Sequence, residues 1–118
     1  MSKTAIPLKD NRIIPRFDLA TEILIIKSEG RSEILDKKSI LLPRSSAEEL
    51  CHLLLAENID TLICGAMEEE YFEFLQWKGV DVFDSVAGAW DLAFIRWQTN
   101  QLASGDILED RQVEGKKI

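Results

Sequence analysis

Residues 58–83 read NIDTLICGAMEEEYFEFLQWKGVDVF, and the fold turns on how this stretch divides. Thr61–Cys64 is a short apolar run behind Asp60, the pattern of a buried strand. Gly65-Ala66-Met67 then turns the chain into a helix expected over Glu68–Lys78. Glu68, Glu69 and Glu70 fill its first turn, where negative charge suits the helix dipole, and Gly79 is its stop. Val80–Phe83 follows as a second short strand. Strand, helix and strand in so little sequence form a crossover unit, which calls for parallel strands and a right-handed connection.

Working outward, Ser85–Gly88 leads into a last helix expected over Ala89–Gln101. Upstream, Ser46 followed by Glu49 is a capping box that opens a helix over Ala47–Glu57, with Leu50, Leu53 and Leu54 at helical spacing and Asn58 as its end. Before Pro43 lie strand candidates at Lys3–Leu8, Thr21–Lys27 and Glu33–Leu41. Only five residues, the turn Ser28-Glu29-Gly30-Arg31 and Ser32, join the latter pair, so they are expected to run antiparallel. The order is β-β-β-α-β-α-β-α, an α/β fold with a mixed five-stranded sheet between helical layers. Residues 1–102 read as a single domain, and 103–118 as a polar, flexible tail.

A chain of 118 residues buries roughly two thirds of its unfolded surface and needs no staple to fold. Lys and Arg total 14 against 21 for Asp and Glu, so the net charge is −7, spread along the chain. That charge opposes phosphate backbones, and nucleic acid is not an expected partner. No apolar run is long enough to cross a bilayer, and Met1-Ser2-Lys3-Thr4 lacks a signal-peptide pattern, so no membrane association and a cytoplasmic location are expected. Cys51 and Cys64 lack the spacing of a zinc site or a disulfide framework, and they read as free thiols.

In an open α/β sheet, ligands sit where parallel strands end. The loops leaving those ends are Lys9–Phe17, Gly65–Met67 and Asp84–Gly88. Any pocket there draws on Arg12, Pro15, Arg16, Phe17, Cys64, Gly65, Met67, Ser85 and Gly88. No catalytic set emerges. The only histidine, His52, lies in the first helix and reads as solvated. Asp10, Asp18 and Asp84 qualify as acid–base groups by position alone. Nucleotide-binding glycine patterns are absent from the sequence. Trp90, Phe94 and Trp97 form a stripe expected to pack on the sheet. Together with Tyr71, Phe74 and Trp77 they also leave room for a homodimer or a protein partner.

With the elements placed, Thr4–Leu102 resembles the dinitrogenase iron–molybdenum cofactor biosynthesis family, which includes NifX- and NafY-type carriers and the C-terminal part of NifB. The residues that carry the resemblance are Ile6-Pro7-Leu8 with Ile13-Ile14-Pro15-Arg16-Phe17, then Glu22–Ile26, Asn58–Ala66 and Lys78–Val82. It implies a ribonuclease H-like fold and a non-enzymatic module that binds an iron–sulfur or iron–molybdenum cofactor precursor. The family's first loop usually reads Pro-His-Phe-Gly, with the histidine a favoured cluster ligand. Here the loop is Pro15-Arg16-Phe17-Asp18. Arginine has no lone pair to give iron, although it can hold an anion by charge and hydrogen bonds. Cys64 is then the soft group nearest the site and the candidate metal ligand. The alternative is a divergent homologue that has lost the metallocluster and binds a small molecule or a protein.

Overall fold

A computed structural model describes residues 1–108. The sheet is built on β1 (Ser2–Lys9), whose residues Thr4–Leu8 are all buried. Asp10 and Asn11 both adopt left-handed backbone, at φ 55° and 64°, and reverse the chain in a two-residue turn. Asp and Asn tolerate that conformation better than most residues. The turn makes a small strand, β2 (Arg12–Ile13), which pairs back on Leu8 and Lys9. This corrects the expected loop and raises the sheet from five strands to six.

β3 (Glu22–Ser28) and β4 (Ile34–Leu41) form the expected antiparallel hairpin, with β3 also antiparallel to β1. After helix α1 (Ala47–Ala56) come β5 (Thr61–Ile63), α2 (Glu69–Trp77), β6 (Asp81–Phe83) and α3 (Trp90–Gln98). The spatial order is β4-β3-β1-β5-β6, with β1, β5 and β6 parallel. The mixed α/β sheet is therefore the one anticipated, with helix ends shifted by one to three residues.

Pro7 sits in the central strand, where a proline normally breaks a ladder. Its carbonyl accepts the Ile14 N–H at 3.1 Å. The nitrogen and carbonyl of one strand residue face the same side, so the missing N–H falls away from β3. On that side β5 pairs only with Thr4 and Ala5, and β2 takes over at Leu8 and Lys9. The proline thus occupies the gap between two partners.

Period-two alternation along the strands fills two cores. Ala5, Ile23, Ile25 and Leu62 face α1 and α2, along with Leu50, Leu54 and Leu75. Ile6, Leu24, Ile26 and Ile63 face α3, where Phe94 and Trp97 are buried as expected. The Arg31 guanidinium lies 4.6 Å from the Trp97 ring centroid and donates to the Trp97 carbonyl, tying the β3–β4 turn to α3. Trp77, by contrast, is 77% exposed.

The chain beyond α3 departs from the expected loose tail. Ala103–Leu108 is ordered, and the Leu108 side chain is buried in the α3-side core. The rest of that expected tail lies outside the described residues.

Ser46 caps α1, its hydroxyl accepting the Glu49 N–H at 3.2 Å, while the reciprocal bond of a capping box is not formed. Ser46→Ala should therefore cost about 1 kcal/mol, whereas Glu49→Ala should leave stability nearly unchanged. Urea melts of the two variants check this directly.

A rim of knitted loops as the candidate functional site

The three loops expected at the carboxyl edge are joined by backbone hydrogen bonds into a continuous rim. Beyond β2, Pro15–Phe17 runs beside the Gly65–Met67 turn. Ala66 N–H donates to the Pro15 carbonyl at 2.8 Å, and Phe17 N–H donates to the Ala66 carbonyl at 2.9 Å. The third loop joins on the far side through Ser85 N–H to the Gly65 carbonyl at 3.0 Å and Val86 N–H to the Cys64 carbonyl at 3.0 Å. Ile13 N–H closes the ring to the Gly88 carbonyl at 2.9 Å.

Gly65 makes this possible. A Cβ there would lie 2.4 Å from the carbonyl oxygens of Ile14 and Pro15, so the passage of the first loop requires a residue without one. Phe17, only 1% exposed, is the apolar peg that holds the first loop down against the α1–α2 core.

Of the residues expected to line a pocket, Pro15 and Arg16 are exposed on this rim, Phe17, Cys64 and Gly65 are buried beneath it, and Met67 is half-buried. Arg12 is exposed on β2, bridged to Ala89. Gly88 is not presented to solvent. A Cβ there would lie 2.4 Å from the Leu108 carbonyl oxygen, because the C-terminal segment lies across it.

Arg16 stands between two depressions. One, of about 460 Å³, is walled by Lys9, Asp10, Pro15, Thr21 and Glu22 with Arg16. The other, of about 240 Å³, is formed by Arg16 with Asp18, Ala66, Met67 and Glu68. Sequence reading missed Thr21 and Glu22, whose place depends on the β1–β3 register. The guanidinium grips Asp18 through two bonds, Nη2–Oδ2 at 2.7 Å and Nε–Oδ1 at 3.2 Å. Both side chains remain solvent-exposed, so the pair contributes less than about 1 kcal/mol and exchanges readily for another anion.

The sulfur chemistry is hidden. Cys64 is fully buried, with Sγ 3.8 Å from the Met67 thioether sulfur. Burial, and then the charges of Asp84 and Cys51, push its thiol well above the usual range. Cys51 is pushed up to about 11, by burial first and then by Glu48. Among the described residues, no group of three or more His, Cys, Asp or Glu side chains is arranged to hold a metal ion.

Residues 1–100 match the family described as dinitrogenase iron-molybdenum cofactor. The chain belongs to that family. Solved structures agree in fold. A candidate dinitrogenase of Methanocaldococcus jannaschii superposes with a TM-score of 0.71 at 20% identity, covering 86% of this chain and 91% of its own. A candidate NifB protein from Thermotoga, placed in the DUF35 family, gives 0.69 at 19% identity over 93% and 99% of the two chains. The protein PH0822 gives 0.77 at 14% identity over 86% and 93%. No curated protein matches the sequence. In this iron-molybdenum cofactor family domain, the family match ends before the Ala103–Leu108 segment that covers Gly88.

Gly65→Ala should destabilise the domain by roughly 1–3 kcal/mol, the usual cost of forcing volume into a packed place, read as a lowered urea midpoint. The thiols give a second test. Native protein at pH 8 should show no rapidly labelled cysteine, and unfolded protein two. Below pH 9.0, the ordinary value for a cysteine thiol, Cys51 is protonated in both states. Above it the unfolded chain ionises first, so stability falls as pH climbs toward about 11. Part of that slope should vanish in Cys51→Ala, as measured by melts between those limits.

Proposed function

We propose that this domain is a non-enzymatic, carrier-like module that takes an anionic iron–sulfur or iron–molybdenum cofactor precursor as cargo at the carboxyl rim. Family membership suggests a carrier-like role in cofactor biosynthesis. The observation that carries the more specific reading is Arg16, fixed by the Pro15–Ala66–Phe17 bonds between two depressions and committed only to an exposed carboxylate.

The donors at the rim fit an anion better than they fit a bare metal ion. A guanidinium offers up to five N–H donors and no lone pair, so it addresses cluster sulfides or carboxylates rather than iron. Cys64 could ligate only after losing a strongly held proton and displacing Met67. Arg16 is accordingly the first contact and Cys64 a later one. Arg12 and Lys9 on the neighbouring hairpin add positive charge nearby. A second reading, a homologue that has lost the metallocluster and binds a small molecule or protein, is favoured by Asp18, which already neutralises Arg16, and by Glu68 on the wall of the smaller depression.

Anaerobic titration with ferrous iron and sulfide, followed by gel filtration and iron analysis, separates the two. Under the carrier reading iron comigrates in a defined ratio, Arg16→Ala lowers it several-fold, and Arg16→His retains or raises it. Absence of comigrating iron, with a cluster-binding homologue loaded in parallel, would leave the second reading.

A further inference from the structure

The third loop of the rim is the one whose Ala87–Gly88 end the chain itself lies against, while Ser85 and Ala87 stay exposed. Its backbone is paired on both sides, with Gly88 O taken by Ile13 on one and Ala87 taken by the C-terminal segment on the other. Ala87 N–H donates to the Asp106 carbonyl at 2.9 Å, and Leu108 N–H donates to the Ala87 carbonyl at 2.8 Å. Gly105 N–H reaches the Asp84 carbonyl at 2.9 Å, and Ser104 Oγ accepts the Asp84 N–H at 3.1 Å. Every one of these bonds joins the segment to the Asp84–Gly88 loop, and Leu108 is its only buried side chain. Ile107 between them is 73% exposed. The segment also begins after the family match ends at residue 100.

We infer that Ala103–Leu108 is a strap that closes the third loop of the rim against ligand and opens as a unit without unfolding the sheet. Among the described residues the segment is fixed by one buried side chain and four hydrogen bonds to the loop, which puts it at the low-stability end of the domain, whereas β1 and β3 belong to the global unit. The joint is Thr99–Leu102, just past the end of α3, where Asn100 already has left-handed backbone at φ 62°. When Leu108 leaves, the Ala87 N–H and carbonyl and the face of Gly88 become free, and the rim gains its third wall. This rests on the reading that the rim is the binding edge, but the detachment itself can be measured without ligand.

The experiment is amide hydrogen exchange on the full chain. Ala87, Gly105 and Leu108 amides should exchange on the order of 100-fold faster than those of β1 and β3, with little denaturant dependence. Leu108→Ala should speed Ala87 and Gly105 about tenfold further, and β1 and β3 by no more than the same factor because global unfolding also releases Leu108, so the gap between strap and sheet persists. Strap amides exchanging at the β1 rate, with the same denaturant dependence, would overturn the proposal by making the segment part of the cooperative fold. Titration with ferrous iron and sulfide supplies the ligand arm. If native protein binds, Leu108→Ala should bind several-fold tighter, and equal binding would remove the gate even where the strap detaches. If neither binds, the cargo reading fails and exchange alone judges the strap.

Discussion

A single hydrogen atom in place of a side chain, at Cα of Gly65, is the constraint on which the carboxyl edge depends. The carbonyls of Ile14 and Pro15 occupy the space a Cβ would need. Because they can come that close, the first loop lies flat on the β5–α2 turn and exchanges hydrogen bonds with Ala66 from both sides. Phe17 then drops into the core and Arg16, one residue before it, is left pointing outward at a fixed place. Loosening the Gly65 passage would cost the rim its shape before it cost the sheet its pairing.

The rigidity of the rim follows from the same economy of backbone groups. β1 gives its middle to β5 and its end to β2, and Pro7 falls where neither needs an N–H. That arrangement delivers the chain to Ile14 beside the end of β5. Loops built this way carry few unsatisfied polar groups, so they can stay ordered without a ligand. The exception is sulfur. Cys64 ends up sealed under Met67, in surroundings that favour the neutral thiol.

Most of the fold could be read from the chain because its signals are local. The apolar run Thr61–Cys64, the Ser46 cap and the stop at Gly79 each report on a few neighbouring residues, and each was found where expected. β2 escaped because two residues have no periodicity, although Asp10-Asn11 was the turn that makes it. The strap escaped for a related reason. Leu108 is one apolar residue in a polar stretch, and only its distant partners in the α3-side core reveal its role. For the site, the sequence located the loops but not the exposure of their side chains. Whether Cys64 faces solvent depends on Met67 and the α1–α2-side core closing around it, an outcome that strand spacing does not encode.

Arginine and buried thiol together decide what kind of binding such a rim can support. Ligation by Cys64 would require deprotonation in surroundings that resist it and the opening of a packed turn, two costs that add. Contact through Arg16 requires only exchange of one exposed carboxylate for another anion, which costs little because water already screens the pair. On the carrier reading the domain would hold its cargo by reversible charge-assisted contact, suited to handing it on, with coordination left to the next protein. On the alternative reading the same guanidinium, already neutralised by Asp18, forms with it a polar rim around two shallow depressions, a surface for a small molecule or a protein partner. The two readings place the same residue at the centre and differ in whether iron is part of the ligand.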